Sequence, residues 1–596
     1  MSQCRIASAR IRPAHAARWW LLAASLLVAV LATPVFAQLR IAPEGASDWQ
    51  PKQLATATQY MVAAAHPAAV DAGLAVLREG GNAVDAAIAV QLVLNLVEPQ
   101  SSGIGGGAFL LYHDAATGDL TAWDGRETAP AGATADMFLD ADGKPLAFRA
   151  AMLDARSVGV PGVVALLANV HAAYGSLPWA GLFAPAIALA RDGFTVGPRL
   201  AGLLADAEDD ALRRGTAGVY FYPGGEPLRT GDIVRNPVFA DTLERIAAGG
   251  RDTFYRGDIA RDIAAATAAA PGAPGRLTEA DLAAYEAPRR APVCAAYRVW
   301  QVCGMGPPSS GGIAVGQILG MLARFELPAM APASPQPWHL IAEASKLAFA
   351  DRNRYVADGD AVAVPLPGLL APAYLAQRAA LIDPAQVLPA PAAAGEPPRP
   401  AGPARAPDST DGRPGTTHIS IVDGAGNAVS MTSSIEGAFG SHRMVRGFLL
   451  NNELTDFSFR PVVDGAPVAN AAAPGKRPRS SMAPTIVYGP DGRLRLLAGS
   501  SGGSRIIGNV VQTVVAVLDW GLDPQAAVDL PHLLNRNGAT EVEARADADA
   551  LADALTAHGH MVRRPDVTSG LHVIGLGDGR LHGGADPRRE GVARGD

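Results

Sequence analysis

Thr416 and Thr417 stand where the composition of the chain changes abruptly. Before them lies a segment rich in Pro, Ala and Gly, residues 384–415, which we predict to be a loop or linker. A Thr hydroxyl is a weak nucleophile that needs an adjacent base. If the chain were cut before Thr416, the new α-amino group, with a reference pKa of about 7.7–8.0, would be such a base. Two ordinary threonines at the start of a strand are the alternative, because Thr is common in strands.

The residues after the linker are predicted to form a hairpin. Residues 417–434 have the pattern of a strand, a five-residue turn and a returning strand. Such a turn places Thr416 opposite Ser434 and His418 opposite Thr432, all on one face of the sheet.

Helical periodicity marks residues 68–97, with a break at Gly80-Gly81, and residues 338–349. A glycine-rich segment, residues 101–107, precedes a predicted strand at residues 108–112. This segment resembles a phosphate-binding loop only superficially, because it follows a helix, precedes a strand and lacks a Gly-Lys-Ser/Thr ending. We therefore interpret its glycines as positions where the backbone packs closely.

The composition excludes several classes of protein. The 596 residues are 49% hydrophobic and 18% charged, which is ample for a large core and excludes a disordered or fibrous chain. The formal net charge is −7, and it becomes −11 without the first 37 residues, which carry four arginines and no acid. An acidic chain has no general attraction for nucleic acid or anionic lipid, so neither is an expected partner.

The first 37 residues have the pattern of an export signal. Four arginines precede an apolar run at residues 19–32, and Val35-Phe36-Ala37 has the pattern that a signal peptidase accepts. A membrane anchor is the alternative, but the apolar run is short for a bilayer. We expect a signal peptide at residues 1–37 and a periplasmic or secreted protein without a stable membrane anchor.

Cys294 and Cys303 remain after the expected removal of the signal peptide. Residues 295–302 between them could turn as a hairpin and bring the cysteines opposite each other, where an oxidising compartment would permit a disulfide. Two buried thiols are the alternative, since sequence does not give the geometry. No His lies nearby in the sequence, so a metal site is not expected there.

A series of motifs runs in order along nearly the whole mature chain. The motifs are Gly103-Ile104-Gly105-Gly106-Gly107, Arg126-Glu127-Thr128-Ala129-Pro130, Pro307-Pro308-Ser309-Ser310-Gly311-Gly312, Asp351-Arg352, Thr416-Thr417-His418, Gly426-Asn427-Ala428-Val429-Ser430-Met431-Thr432, Asn451-Asn452-Glu453-Leu454-Thr455-Asp456-Phe457, Lys476-Arg477-Pro478-Arg479-Ser480-Ser481, Gly499-Ser500-Ser501-Gly502-Gly503-Ser504-Arg505 and Gly584-Ala585-Asp586-Pro587-Arg588-Arg589. Together they resemble the γ-glutamyltranspeptidase family.

The resemblance implies an α+β fold of the N-terminal-nucleophile hydrolase type, a four-layer αββα sandwich with two sheets between helix layers. It also implies a precursor that cuts itself between Gly415 and Thr416. The products would be a large subunit, residues 38–415, that ends in the linker, and a small subunit, residues 416–596. The two subunits would share one core.

The resemblance assigns catalytic roles to four residues. Thr416 would attack the γ-carbonyl of a γ-glutamyl amide and form an acyl-enzyme. Ser434 stands where the family usually has a Thr that hydrogen-bonds the nucleophile, and Thr432 would substitute if the register slips. An ordinary polar residue at a strand end is the alternative for Ser434. Gly502 and Gly503 would present backbone N–H groups to the developing oxyanion, ahead of an apolar run at residues 506–518 that is predicted to be a helix.

Three further residues match positions that hold the substrate α-carboxylate. They are Arg126, Ser480 and Ser481. A guanidinium fork and two hydroxyls suit a carboxylate well. A lone Arg in a loop is usually solvated surface, so the role of Arg126 depends on its motif.

Acidic residues match the positions that meet the substrate α-ammonium. Glu453 and Asp456 belong to the matching motif, whereas Glu436 departs from the family, which usually has Asn there. A third acid would strengthen the site for a cation, or like-charge repulsion would leave one acid protonated. Asp456 argues for an acyl group that bears an amine, and Glu436 leaves the identity of that acyl group open.

A second departure concerns the cover of the site. Residues 457–479 are short and contain no Tyr, whereas some relatives carry a longer segment with a Tyr that covers the glutamyl pocket. An open site would admit bulkier substrates and more water, which favours hydrolysis over transfer. No cofactor is implied. His418 is the alternative base, but its position two residues along the strand is equally consistent with packing beside Thr416.

Three functions are compatible with these residues. The leading hypothesis is an exported, self-processing γ-glutamyl hydrolase and transpeptidase that acts on glutathione and related compounds and transfers the acyl group to water, amino acids or peptides. A cephalosporin or glutaryl acylase with the same nucleophile is the alternative enzyme. A non-processing protein that only binds γ-glutamyl ligands would not need a nucleophile, a supporting hydroxyl and oxyanion donors together.

The intact mass of the purified, denatured protein tests self-cleavage. We expect two chains, with Thr416 as the first residue of the smaller one, because the cut must free the α-amino group of the nucleophile. A single uncut chain after long incubation would favour the binding protein. A cut at another position would move the nucleophile.

Overall fold

The hairpin that begins at Thr416 lies in the middle of a seven-stranded sheet. The structure is a computed structural model that describes Met1 and residues 49–207, 211–268, 276–398, 403–408, 415–566 and 568–596. Apart from Met1, the signal peptide expected at residues 1–37 therefore lies outside the described residues. All elements named below belong to the unit Pro43–Asp596.

The strands of the described residues are, in chain order, β1 (Ala55–Ala57), β2 (Met61–Ala64), β3 (Gly107–His113), β4 (Leu120–Gly125), β5 (Phe194–Thr195), β6 (Ile233–Val234), β7 (Arg289–Arg290), β8 (Val293–Tyr297), β9 (Trp300–Gly304), β10 (Thr416–Val422), β11 (Ala428–Ser434), β12 (Met444–Val445), β13 (Phe448–Leu449), β14 (Val462–Val463), β15 (Ala466–Pro467), β16 (Thr485–Tyr488), β17 (Leu494–Ala498), β18 (Leu533–Asn535), β19 (Thr540–Val542), β20 (Val562–Arg563), β21 (His572–Gly577), β22 (Arg580–Ala585) and β23 (Val592–Gly595).

Two large antiparallel sheets contain most of these strands. The nucleophile sheet has the order β23-β2-β10-β11-β3-β4-β7, and the second sheet has the order β1-β22-β21-β17-β16-β9-β8. Within the nucleophile sheet, Thr416 pairs with Ser434 and His418 pairs with Thr432. The register that the five-residue turn predicts is therefore confirmed.

The α-helices of the described residues are α1 (Pro67–Arg78), α2 (Ala83–Val97), α3 (Phe148–Leu153), α4 (Val163–Tyr174), α5 (Ala184–Asp192), α6 (Pro198–Ala205), α7 (Gly215–Phe221), α8 (Pro237–Gly249), α9 (Arg251–Tyr255), α10 (Asp258–Ala268), α11 (Glu279–Ala283), α12 (Gly311–Leu322), α13 (Pro335–Tyr355), α14 (Leu366–Leu369), α15 (Pro372–Ala379), α16 (Ile506–Leu518), α17 (Pro524–Asp529) and α18 (Asp549–His558). Within the described ranges, no helix combines the length and the apolar character that crossing a membrane requires.

The alternation of side chains along β2 shows how the layers stack. Val62 and Ala64 point into an apolar core that also contains residues of α1, α2, α4 and α8. Met61 and Ala63 point the other way, into a core shared with the second sheet and with α12, α13 and α16. Because side chains alternate between the two faces of a strand, one sheet separates the two cores. The αββα sandwich is confirmed.

Local sequence explains the helix pair that covers the nucleophile sheet. Pro67 occupies the first turn of α1, and α2 begins with a capping box in which Asn82 and Asp85 bond each other's backbone N–H groups. Gly80 between the helices has a φ of 91°, which favours glycine. The predicted helices and the break between them are confirmed.

The glycine-rich segment before β3 packs against the end of the nucleophile hairpin. A Cβ added at Gly105 would lie 2.0 Å from the Leu449 carbonyl oxygen, and one at Gly106 would lie 2.0 Å from the Ser434 carbonyl oxygen. Neither position has room for a side chain. The close-packing interpretation is confirmed.

The two cysteines lie opposite each other on the predicted hairpin. β8 pairs with β9 so that Cys294 faces Cys303, and a disulfide joins them. Cys303 is buried and Cys294 is exposed. Of the two alternatives, the structure therefore contains the disulfide.

Removing this disulfide tests its presence in the purified protein. The bond closes a short loop with a sequence separation of 9, so it is expected to contribute about 3 kcal/mol. In a protein of this size, the double variant Cys294→Ala/Cys303→Ala should melt about 2 °C lower, measured by calorimetry. A reductant should lower the Tm of the wild type but not that of the double variant. Two titratable thiols in the untreated wild type would contradict the disulfide.

Candidate active site

The first residue of β10, Thr416, lies buried against the last residue of β11, Ser434. The Thr416 hydroxyl donates to Ser434 Oγ, with 3.3 Å between the oxygens. Ser434 Oγ donates in turn to the Gly415 carbonyl oxygen at 2.9 Å and accepts the Glu436 N–H at 2.9 Å. One hydroxyl thus connects the predicted nucleophile with the carbonyl group of the peptide bond that self-cleavage would break.

Gly415 occupies a position where only glycine fits. It is buried, and a Cβ there would lie 2.0 Å from the Glu436 carbonyl oxygen and 2.7 Å from the Gly437 carbonyl carbon. In the sequence, Gly415 is only the last residue of the predicted linker. The steric requirement becomes visible only when the segment after β11 is in place.

His418 and Thr432 bond each other rather than the nucleophile. His418 Nδ1 lies 2.9 Å from Thr432 Oγ1, and its Nε2 lies 3.1 Å from Ser420 Oγ. Burial lowers the pKa of His418 to about 3, so the ring stays neutral. His418 therefore packs in the sheet, and Thr432 does not take the place of Ser434.

The tail motif holds the backbone of the nucleophile. Arg589 Nη1 donates to the Thr416 carbonyl oxygen at 3.2 Å. The Arg589 carbonyl oxygen accepts from Lys52 Nζ at 2.7 Å, and the preceding Arg588 pairs with Glu543 at 2.6 Å. The sequence motif showed that this tail belongs to the resemblance but not that it reaches Thr416.

A small pocket opens beside Thr416, and the predicted site residues line it. Its lining residues are Arg126, Thr416, Ser434, Glu436, Glu453, Asp456, Ser480, Ser481, Met482, Gly503 and Ile506. All predicted catalytic and substrate-binding residues except Gly502 therefore lie around one space. Met482 and Ile506 add apolar lining that the sequence did not indicate.

Gly502 and Gly503 form the turn that leads into α16. Their φ values are 125° and 57°, a region that favours glycine. Gly503 opens a short 3-10 turn, Gly503–Arg505, and α16 begins at Ile506. The start of the predicted helix is confirmed. Its first residue, Ile506, lines the pocket, so the positive end of the helix lies beside it.

Arg126 is paired with two of the predicted site acids. Its Nη1 bonds Glu453, and its Nη2 lies 2.5 Å from Asp456 Oδ2. Its Nε and Nη2 also donate to the carbonyl oxygens of Pro478 and Arg479, at 3.1 and 3.2 Å. The residues predicted to hold the two charges of a substrate therefore neutralise each other in the structure.

A neighbouring acid, Glu127, was not among the predicted site residues. It is fully buried, and burial raises its pKa well above the ordinary value. Burial also raises the pKa of Glu453 to about 7, although Arg126 opposes this shift. Burial therefore acts on both carboxyl groups in the same direction, toward the protonated form. The position of Glu127 next to Arg126 in the Arg-Glu-Thr-Ala-Pro motif is the sequence signal that could have identified Glu127 as a site residue.

Ser480 and Ser481 are held by residues of two motifs for which no role was predicted. Ser310 Oγ donates to the Ser480 carbonyl oxygen at 2.7 Å. Arg352 donates to Ser310 Oγ at 2.9 Å and to Ser481 Oγ at 2.7 Å. Because Ser481 Oγ accepts from Arg352, its own proton remains available for a carboxylate.

Glu436 brings a third carboxylate to the pocket in an unusual backbone conformation. Its φ is 74°, and it is 4% exposed. Carboxylate oxygens of Glu436, Glu453 and Asp456 lie within 4.8 Å of one another. Such a group could hold a metal ion, but the Arg126 guanidinium already supplies a cation to two of its members. The arrangement suits an organic cation that bears several N–H donors.

The segment expected to leave the site uncovered carries a small hairpin of its own. In residues 457–479, β14 pairs with β15. Beyond the hairpin, Arg479 pairs with Asp408 of the linker at 2.8 Å, and Asn470 donates to the same carboxylate at 3.0 Å. The described part of the linker is thus attached to the segment that flanks the pocket.

Comparisons with known proteins agree over nearly the whole chain. A family profile described as Gamma-glutamyltranspeptidase matches residues 69–595. A glutathione hydrolase proenzyme of Bacillus subtilis (strain 168) is 37% identical over 594 residues, which cover 97% of this chain and 99% of the relative. One of Escherichia coli (strain K12) is 40% identical over 552 residues, 89% of this chain and 91% of the relative.

A solved structure extends the similarity to the fold. The crystal structure of cephalosporin acylase from Bacillus halodurans matches with a TM-score of 0.79 at 29% sequence identity. The match covers 93% of this chain and 99% of the acylase chain. Both the sequence and the arrangement of elements are therefore shared with known proteins.

Variants of Ser434 test the contact with Gly415. We expect Ser434→Ala to slow self-cleavage about 100-fold, because the donor to the Gly415 carbonyl oxygen is lost. Ser434→Thr keeps a hydroxyl and should cleave nearly as fast as the wild type. The fraction of cut chain is followed over time by denaturing gel and mass spectrometry.

Ser433→Ala is the matched control for this experiment. The Ser433 hydroxyl donates to the Gly107 carbonyl oxygen at 3.2 Å and makes no contact with Gly415. This variant should cleave at the wild-type rate. Equal rates for Ser434→Ala and the wild type would show that the Ser434 hydroxyl does not assist the cut.

Proposed function

Because the chain belongs to the γ-glutamyltranspeptidase family, we propose that it is an exported, self-processing γ-glutamyl hydrolase and transpeptidase that acts on glutathione and related compounds. The observation that carries the proposal is the hydrogen-bonded series Thr416, Ser434 and Gly415 beside a pocket of paired charges. The series supplies a nucleophile at the bond to be cut, and the pocket offers partners for both charges of an α-amino acid.

Self-cleavage begins with Thr416 Oγ1, which adds to the Gly415 carbonyl carbon. The Ser434 hydroxyl, 2.9 Å from the Gly415 oxygen, donates to the oxyanion that develops. The C–N bond then breaks, the proton that left Thr416 Oγ1 moves to the Thr416 nitrogen, and an ester joins the two residues. Water hydrolyses this ester and leaves a large subunit, residues 38–415, and a small subunit, residues 416–596.

Catalysis uses the same hydroxyl with a new base. The free α-amino group of Thr416 accepts the hydroxyl proton while Oγ1 attacks the γ-carbonyl carbon of the substrate. Backbone N–H groups of Gly502 and Gly503 stabilise the oxyanion, and the protonated amine delivers its proton to the leaving amine. The acyl group then passes from Thr416 to water, an amino acid or a peptide.

The charges of the pocket set the substrate class. The α-carboxylate of a γ-glutamyl group binds Arg126 and the hydroxyls of Ser480 and Ser481. The α-ammonium binds Glu453 and Asp456, and Glu436 is the third acid near it. Each substrate charge replaces one partner of an ion pair that already exists, so the exchange leaves no buried charge unpaired.

Hydrolysis is proposed to exceed transfer. Residues 457–479 contain no Tyr, and no aromatic side chain is among those that line the pocket in the described residues. Water therefore reaches the acyl-enzyme as readily as an acceptor amine does.

A glutaryl acylase is the second candidate, and similarity to the cephalosporin acylase of Bacillus halodurans favours it. A glutaryl group has no ammonium. Its carboxylate would bind Arg126 in place of Glu453 and Asp456, and these two acids would be left without a cation. Truncating one partner of a buried ion pair typically costs about 2–5 kcal/mol. The three carboxylates therefore favour the γ-glutamyl group.

Matched chromogenic anilides distinguish the two acyl groups. We expect kcat/KM for the γ-glutamyl anilide to exceed that for the glutaryl anilide at least 30-fold, which corresponds to about 2 kcal/mol. In Asp456→Asn the ratio should fall toward one, because an ammonium partner is lost. Asp464→Asn, which changes an exposed acid between β14 and β15, should keep the wild-type ratio. A faster glutaryl anilide in the wild type would establish the acylase instead.

A further inference from the structure

A second cluster of ionisable side chains lies apart from the pocket. His339 and Glu343 are one turn apart on α13, and His560 follows α18. Their exposures are 1%, 0% and 4%. Ligand atoms of the three side chains lie within 4.8 Å of one another. Two imidazoles and a carboxylate are a donor set that zinc and related transition metals prefer.

The hydrogen bonds of the cluster fix the tautomer of each ring. His339 Nε2 lies 2.9 Å from the Asp383 carbonyl oxygen, and since a carbonyl only accepts, this nitrogen carries the hydrogen. His339 Nδ1 therefore directs its lone pair at His560 Nε2, 2.8 Å away, which donates to it. His560 Nδ1 then accepts from the Thr540 hydroxyl at 2.9 Å.

Both rings are neutral and thus able to act as ligands. Each ring accepts a hydrogen bond at one nitrogen, His339 Nδ1 from His560 Nε2 and His560 Nδ1 from Thr540, so neither ring carries a hydrogen on both nitrogens. A lone pair is therefore present on each imidazole, as metal binding requires.

We propose that His339, Glu343 and His560 form a site for a divalent transition metal ion, with Zn²⁺ as the best fit. The ion enters between His339 Nδ1 and His560 Nε2, where a hydrogen now joins the two nitrogens. His560 shifts that hydrogen from Nε2 to Nδ1, where Thr540 Oγ1 accepts it, so no proton leaves the rings. Glu343, whose Oε1 lies 3.8 Å from His560 Nδ1, turns toward the ion and supplies the carboxylate oxygen.

The outer contacts that such a site needs are already formed. Histidine ligands usually donate their second ring N–H to a carbonyl, carboxylate or hydroxyl. The Asp383 carbonyl serves His339, and Thr540 serves His560. For zinc at about 2.0–2.1 Å from each nitrogen, the two nitrogens need to separate by about half an ångström.

His558 offers a fourth donor. Its ring centroid lies 4.2 Å from that of His339. Its Nε2 is buried, without a hydrogen-bond partner among the described residues. A rotation of this side chain or a bound water would complete four-coordination, which is the geometry of structural zinc sites.

Lys346 competes with the metal ion for Glu343, and changing this lysine tests the site. Its Nζ lies 2.7 Å from Glu343 Oε1 and 3.2 Å from the Leu388 carbonyl oxygen. The ammonium must leave Glu343 when zinc binds, because the two cations compete for one carboxylate. Lys346→Met removes the competitor and should therefore tighten zinc binding.

The site joins parts of the chain that the proposed self-cleavage would separate. His339 and Glu343 belong to the large subunit, whereas His560 and His558 belong to the small subunit. A bound ion would therefore fasten the two subunits to each other. Only this consequence rests on the proposed function; the ligands themselves are in place without the cut.

Zinc titration of chelator-treated protein tests the site. We expect one zinc per protein after gel filtration, measured by elemental mass spectrometry, and a higher Tm. His560→Gln should weaken zinc binding at least 100-fold, and Lys346→Met should tighten it about tenfold. His582→Gln changes a histidine on β22 outside the cluster and should bind like the wild type.

Several outcomes would overturn the proposal. They are a wild type that retains no zinc, equal retention by wild type and His560→Gln, and weaker binding by Lys346→Met. If His560→Gln does not fold, the visible absorption of the Co²⁺-loaded wild type decides, since only a four-coordinate site gives an intense band. The uncut Thr416→Ala precursor should bind zinc equally. A wild-type protein that binds zinc but never cuts itself would refute the proposed function and leave the metal site unaffected.

Discussion

The antiparallel pairing of β10 with β11 is the constraint on which the site depends. It sets the first residue of one strand, Thr416, against the last residue of the other, Ser434. A slip of one residue would turn the Thr416 hydroxyl to the opposite face of the sheet. The neighbours of these strands, β2 and β3, fix the same register from both sides. Catalytic geometry is therefore a property of the sheet rather than of a loop.

The pocket illustrates how charged groups can be stored in a protein interior. Arg126, Glu453 and Asp456 are nearly inaccessible to solvent, and each would be costly to bury alone. Their mutual pairing offsets that cost and keeps the site formed before a ligand arrives. A zwitterion of matching length can exchange with these pairs, whereas a ligand with a single charge leaves one of them without a partner.

Local rules explain which features could be predicted from the sequence. Turn length predicted the register of the hairpin, periodicity predicted α1 and α2, and an apolar run predicted α16. The order of elements around the glycine segment argued for packing. The disulfide remained one of two alternatives, because spacing alone does not bring two sulfurs together. The combined motifs identified the residues that line the pocket apart from Met482 and Ile506.

Contacts between distant parts of the chain could not be predicted in the same way. Arg126 is 327 positions from Glu453, and Arg589 is 173 positions from Thr416. Neither the steric need for glycine at Gly415 nor the support of Ser481 by Arg352 leaves a periodic pattern. Each becomes visible only once the fold has brought the partners together.

The outer edge of the nucleophile sheet has a consequence for timing. Its last strand, β23, is Val592–Gly595, and it pairs with β2, which in turn pairs with β10. Arg589, just before that strand, holds the Thr416 backbone. Arg589 lies 173 positions after Thr416 in the chain, so the support of the nucleophile is synthesised long after the nucleophile itself. A nascent chain that has not yet reached Arg589 and β23 lacks both the arginine and the edge strand. Its Thr416 is therefore held in place only after that later part of the chain has been made and has folded.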